Sequence, residues 1–187
     1  MQKTSIDQAI LQEYQLGKEN VALQLLIKNY KVKLYWHIRR IILDHDNSDD
    51  VLQNTFIKAW KGLANFKGES QLYTWLFKIA TNEALTFIEK NKKSTLTDSL
   101  SYNESLENQF SSSNEFNSDD YSGDAIQLKL EKAIATLPEK QRAVFHLKYY
   151  EEMKYEEISE IMTTSVGALK ANYHHAVKKI ELFLEND

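Results

Sequence analysis

The chain has no cysteine, a single proline and only five glycines in 187 residues. Without cysteine there can be no disulfide, no thiolate metal site and no cysteine nucleophile, a composition compatible with a reducing cytosol. So little proline and glycine, beside dense helical periodicity, argues for an all-α protein. No run approaches the roughly 18 apolar residues that a membrane span needs. The opening MQKTSIDQAILQEYQLGKEN also lacks the apolar run of a signal peptide. The expectation is a cytoplasmic chain with no stable membrane insertion.

Catalytic patterns are missing too. There is no GxxxxGK loop, no GxSxG elbow and no HExxH helix. The histidines are His37, His45, His146, His174 and His175, and none has a carboxylate or third imidazole at ligand spacing. The acidic knot Asp44–Asp50 would need Gly at Asp49 and Glu at Thr55 to serve as a calcium loop, and has neither. It reads instead as a helix start, with Asn47 or Ser48 as cap and aspartates facing the positive end of the macrodipole. No metal, cofactor or enzymatic activity is expected.

The charge balance is uneven. Net charge is −4, yet residues 1–93 hold 14 Lys/Arg against 10 Asp/Glu. Residues 94–125 hold no Lys/Arg against 7 Asp/Glu, and residues 126–187 hold 9 against 10. The acid is concentrated in one segment, so the average hides a basic N-terminal half. The segment 94–125, rich in Ser, Asn and Asp, reads as a flexible acidic linker between two small helical domains, 1–93 and 126–187.

What remains is helix. Apolar residues at helical spacing predict helices over 5–17, 19–43, 49–63 and 71–92. The third buries Leu52, Phe56, Ala59, Trp60 and Leu63 and turns Asp50, Gln53, Asn54 and Lys58 outward. The fourth, capped by Ser70, has Leu72, Leu76, Ile79, Ala80, Ala84, Phe87 and Ile88 as its inner stripe. Tyr73, Lys78, Thr81, Asn82 and Glu89 look outward, and Lys90, Lys92 and Lys93 suit its negative C-terminal end. Trp75 reads as core. In the second domain, Leu137-Pro138 separates two helices. MKYEEISEIMTTSVGALKANYHHAVKK, Met153 to Lys179, then makes two amphipathic segments meeting at Met162–Ser165, a helix-turn-helix. Ser165 caps the second segment. Its outer face carries Lys170, Ala171, Asn172, His174 and Lys178, with no acidic side chain between Ser165 and Ile180. That equips the helix to enter a major groove, and it also suits a helical hairpin with a solvated polar face.

Two stretches together resemble the extracytoplasmic-function (ECF) subgroup of the sigma-70 family of bacterial RNA polymerase sigma factors. DDVLQNTFIKAWKGLANFKGESQLYTWLFKIATNEAL, residues 49–85, is similar to the family's region 2. LPEKQRAVFHLKYYEEMKYEEISEIMTTSVGALKANYHHAVKKI, residues 137–180, is similar to its region 4. The resemblance implies a subunit that binds core RNA polymerase and promoter DNA, helps melt the duplex and leaves catalysis to the polymerase. Asp50, Gln53, Asn54 and Phe56 would dock on the polymerase clamp. Phe66, Lys67, Tyr73, Lys78 and Asn82 would hold the −10 element. Stacking there would replace energy lost by an extruded base, worth roughly 1–3 kcal/mol per base. Ser165, Lys170, Ala171, Asn172, His174 and Lys178 would read the −35 element. The family habit also implies an anti-sigma partner.

Thr163 stands where the family's turn usually has Gly. Asn172 and His175 stand where relatives often carry Arg, and Ala171 where they often carry Ser or Thr, so free-standing DNA binding is expected to be weak. A stand-alone helix-turn-helix regulator is the alternative, but it leaves Asp49–Asn82 without a job. A helical adaptor that binds no DNA is the third reading.

Overall fold

The computed structural model describes residues 5–68, 70–97 and 123–186. Among these there are eight α-helices and no strand. They are α1 (Ser5–Gln15), α2 (Glu19–Ile42), α3 (His45–Leu63), α4 (Leu72–Thr97), α5 (Gly123–Ala135), α6 (Glu139–Tyr149), α7 (Tyr155–Met162) and α8 (Val166–Asn186). Most of the acidic linker, residues 98–122, lies outside the described residues. Helix α4 runs on through Thr97 and α5 begins at Gly123, so both ends of the segment read as linker belong to helices. No helix among the described residues is long and apolar enough to cross a membrane.

Local chemistry sets the helix ends. Asp44, not Asn47 or Ser48, caps α3: its carboxylate accepts from the Asn47 N–H at 2.8 Å, and the helix starts four residues earlier than its apolar stripe suggests. Ser48 is drawn inside, its hydroxyl donating to the Asp44 carbonyl. Ser70 does not cap α4; the Trp75 N–H bonds to the Gln71 carbonyl at 3.0 Å, which makes Gln71 the flanking residue. Gly68, at φ 72°, supplies the left-handed turn between the two helices, which a residue without Cβ adopts at little cost. Ser165 Oγ accepts from the Ala168 N–H at 3.3 Å, as its N-cap reading requires.

The turn of the helix-turn-helix is strained. Thr163 sits at φ 51°, ψ 46°, a left-handed conformation costly for a β-branched residue. Neighbouring hydroxyls brace it. Ser159 Oγ donates to the Thr164 carbonyl at 2.7 Å, and Thr164 Oγ1 to the Met162 carbonyl at 3.0 Å. The Thr163 N–H closes back on the Ser159 carbonyl.

Helices α1 to α4 pack around Ile10, Leu26, Leu34, Ile38, Leu52, Leu76 and Phe77, and the same core continues into the C-terminal half. Ala143, Val144 and Leu147 of α6, Met153, Ile158 and Ile161 of α7, and Leu169 of α8 all join it. A second, smaller core of Ala133, Ile134, Leu137, Phe145, Ala176 and Ile180 is confined to α5, α6 and α8. The N-terminal and C-terminal helices therefore share one hydrophobic interior.

That shared interior overturns part of the α4 reading. Thr81 is fully buried rather than outward, and Tyr73 is half-buried against the C-terminal half. The Tyr73 hydroxyl donates to Glu151, which follows α6. Lys92 does not serve a helix end; it pairs with Glu139 of α6 at 3.0 Å. Burial raises the Glu139 carboxyl, but its own backbone N–H and Lys92 outweigh this and hold it below the usual range.

Arg142 ties the halves most directly. Its Nε and Nη2 donate to the Ile41 carbonyl at 3.1 and 2.6 Å, and its Nη1 to the Ala135 and Leu137 carbonyls at 3.0 and 3.2 Å. The guanidinium thus satisfies a carbonyl in the last turn of α2, where a positive charge also meets the negative end of the macrodipole.

Candidate nucleic-acid and polymerase interfaces

Helix α3 packs on α2 and α4 and presents its opposite face to solvent. Asp50, Gln53 and Asn54 are exposed there at helical spacing. Phe56 is not on that face; it is half-buried and packs against the main core. Its spacing suits the inner stripe and the family resemblance a contact with the clamp, and the packing places it with the stripe. The apolar residue that does lie among the exposed polar ones is Ile57, 46% exposed, four residues from Gln53 and three from Asn54. Sequence reasoning passed over it because a lone Ile beside an inner stripe looks like core.

Around the loop before α4, Lys67, Lys78 and Asn82 are exposed, and Phe66 is half-buried with its ring centroid 5.1 Å from that of Trp75. Trp75, Lys78 and Asn82 follow one another at i, i+3 and i+7, so they share a helical face. Gly62 makes room for the indole: a Cβ there would come within 2.9 Å of Trp75 Cζ2. Tyr73 points elsewhere. Its ring meets Phe77 at 4.5 Å and Tyr30 at 6.3 Å, with the Lys33 ammonium 5.7 Å from its centroid. Burial, reinforced by the bond to Glu151, raises the Tyr73 phenol far above its usual range. The loop and the outer α4 face thus bring together four of the five residues assigned to the −10 element, and Tyr73 stands apart in this conformation.

Helix α8 keeps its inner stripe, Leu169, Ala176 and Ile180, fully or nearly fully buried. Ser165, Lys170, Ala171, His174 and Lys178 are exposed and Asn172 is half-buried. The Lys170 ammonium lies 5.7 Å from the Tyr155 ring centroid, which holds the lysine stem along α7. The face offers donors, two ammonium groups and a small residue. It can contact phosphates and base edges through hydrogen bonds and charge.

Comparison with known proteins follows the same division. Residues 26–94 match the family model for Sigma-70 region 2, and residues 127–180 that for Sigma-70, region 4. The chain is 31% identical over 180 residues to the ECF RNA polymerase sigma-E factor of Haemophilus influenzae, covering 94% of this chain and 93% of that one. It is 29% identical over 182 residues to the RNA polymerase sigma-H factor of Pseudomonas aeruginosa, covering 96% and 94%. Two solved structures share the fold. One is sigma factor RpoE in complex with the anti-sigma factor NepR from Bartonella quintana, at TM-score 0.66 and 22% identity, covering 86% of this chain and 95% of that chain. The other is CnrH in complex with the cytosolic domain of CnrY, at TM-score 0.68 and 20% identity, covering 98% and 99%. Both halves of the chain, in order and nearly end to end, thus have the helices and faces of one family, and the chain belongs to the ECF subgroup of the sigma-70 RNA polymerase sigma factors.

Proposed function

We propose that this sigma factor docks on bacterial core RNA polymerase through Asp50, Gln53, Asn54 and the neighbouring Ile57. Phe66, Lys67, Lys78 and Asn82 then hold the −10 element, and Tyr73 joins them once the halves part. Ser165, Lys170, Ala171, Asn172, His174 and Lys178 read the −35 element as duplex in the major groove. Catalysis belongs to the polymerase, and the protein works in the cytoplasm, where polymerase is found. The observation that carries this reading is the pair of exposed, donor-rich faces on α4 and α8, one in each matched family region. Structures similar in fold are sigma factors held by anti-sigma factors, which supports an anti-sigma partner for this chain as well.

Runoff transcription with purified core polymerase on a pool of promoter fragments tests the assignment. New discrete start sites that depend on the protein are expected, and they should fall at least tenfold when Lys67 and Asn82 are both replaced by alanine. Absence of core binding and of new transcripts would leave α8 as the helix of a stand-alone regulator.

A further inference from the structure

The seam between the two halves is built around a chain of four hydrogen bonds with no room for another proton. Thr81 Oγ1 donates to the Phe77 carbonyl at 2.7 Å, so it must accept from His37 Nε2, 2.7 Å away. His37, neutral with its proton on Nε2, presents a bare Nδ1, which accepts from His146 Nδ1–H at 3.0 Å. His146 is then left with a bare Nε2, which accepts from Arg40 Nη1 at 3.2 Å. The network itself dictates both tautomers. Arg40 cannot give up its proton, so every link runs in one direction. One more proton, on His37 Nδ1 or His146 Nε2, sets two donors against each other.

Among the described residues, the surroundings offer that proton no compensation. His37 is fully buried and His146 nearly so. Helix α2 brings the Arg40 cation, which also lies 4.2 Å from the Tyr150 ring centroid and 5.6 Å from that of Trp36. Helix α4 brings the neutral Thr81 and Phe77, the latter 4.8 Å from the His37 ring. Helix α6 and its end bring Tyr149 and Tyr150, the latter stacked 5.2 Å from His146. Glu131 of α5 acts on the Tyr150 phenol. Among the described residues, Arg40 is the charged group that acts on both imidazoles, and no carboxylate is among the causes of either shift.

The arrangement also cannot be the one that reads a promoter. A folded chain of this length has a radius of gyration of about 16 Å, so it is roughly 40 Å across. Elements centred near −10 and −35 are separated by roughly 85 Å of duplex at ~3.4 Å per base pair. With α6 and α7 packed into the α2–α4 core, α8 and the α4 loop cannot reach both. Tyr73 is meanwhile occupied by Glu151.

We infer that the free chain closes on itself, and that the His37–His146 contact with Arg40 is a proton-operated latch: two neutral imidazoles hold the halves together, and acid releases them. The inference rests on the promoter reading only for its consequence, which is that acidification favours the form able to span both elements.

Burial, with Arg40 adding to it, pushes His37 down to about 3 and, with His37 and Arg40 adding, holds His146 well below its ordinary value. The sign follows from linkage. The closed form excludes protons that the open form binds, so closure is fully favoured above about pH 6.5 and is lost as pH falls below it. Between pH 7.5 and 5.5 the closed-to-open ratio should drop about tenfold for each histidine, or about a hundredfold for the pair.

The test uses the full chain, which has no cysteine of its own. Cysteines placed at the exposed positions Lys28 and Glu181 carry a donor and an acceptor dye. High energy transfer is expected at pH 7.5, with a reversible fall by pH 5.5 at unchanged far-UV helicity. His37→Leu with His146→Leu should keep transfer high at both pH values, and His146→Lys should lower it at pH 7.5. Transfer that is low at pH 7.5, or that stays high in the unsubstituted chain at pH 5.5, overturns the latch. So does acid opening of the double leucine variant. Should that variant not fold, histidine proton resonances of the unsubstituted chain decide instead. His37 and His146 must gain their protons together with the fall in transfer, and protonation while transfer stays high rejects the idea. Acid-dependent transfer without polymerase-dependent transcription would keep the latch and remove the promoter reading.

Discussion

Helices α6 and α8 lie in the same C-terminal half, yet they meet their surroundings in opposite ways. Helix α8 behaves as an amphipathic surface helix: Leu169, Ala176 and Ile180 face in, and Lys170, Ala171, His174 and Lys178 face out. Helix α6 is buried through six consecutive residues, Arg142 to Leu147. The reason is that α6 has two partners. Ala143, Val144 and Leu147 enter the core shared with α2 and α4, while Phe145 enters the smaller core with α5 and α8. A helix between two cores has no solvent face over that stretch, so its polar members must be satisfied within the protein. Arg142 finds three carbonyls and His146 finds Arg40 and His37. The difference teaches that polarity in a helix marks an interface as readily as a wet face.

The strongest way to break the comparison is at Arg142. Replacing it with alanine leaves the Ile41, Ala135 and Leu137 carbonyls without its hydrogen bonds and should cost about 3 kcal/mol of stability. Urea denaturation followed by circular dichroism measures it, and a loss below about 0.5 kcal/mol, the range of ordinary surface substitutions, would show that α6 is not held as described. An alanine pair on α8, Lys170→Ala with Lys178→Ala, should leave stability within about 0.5 kcal/mol. It should instead reduce −35-dependent transcription about tenfold and flatten the log–log salt dependence of promoter binding by about 2. Unchanged transcription would favour a helical adaptor that binds no DNA. A subtler probe is Thr163→Gly in the turn between α7 and α8. Relieving the left-handed threonine should stabilise the protein by about 1 kcal/mol, read as a higher urea midpoint at constant slope. Destabilisation would mean that the threonine side chain contributes more to the turn than its backbone costs.

Much of the fold was legible because its signals are local. Periodic apolar residues marked both ends of α2 and the starts of α4 and α8, and Ser165 announced the start of α8. Helices α4 and α8 run on to Thr97 and Asn186, past where the stripes end them. The exposed candidates Asp50, Gln53, Asn54, Lys67, Lys78, Asn82, Lys170 and Lys178 were readable for the same reason: a face opposite an apolar stripe is a property of one helix. Tyr73 and Thr81 were misread as outward because nothing within α4 reports what packs on its other side. Asp44 was passed over as the α3 cap because several neighbouring residues could accept from the same N–H groups, and only backbone geometry chooses among them.

By itself, then, the sequence determined the all-α class, the order of helices, the family and the polar faces of α3 and α8, since each depends on spacing along the chain. Only the tertiary structure decided that the two halves share a core, that Arg142 caps a helix a hundred positions away by sequence number, and that His37 meets His146. Those pairings join residues far apart in sequence, and neither residue's neighbours carry any trace of the partner. A histidine in an apolar stripe looks the same from its own helix whether it faces a leucine or another histidine.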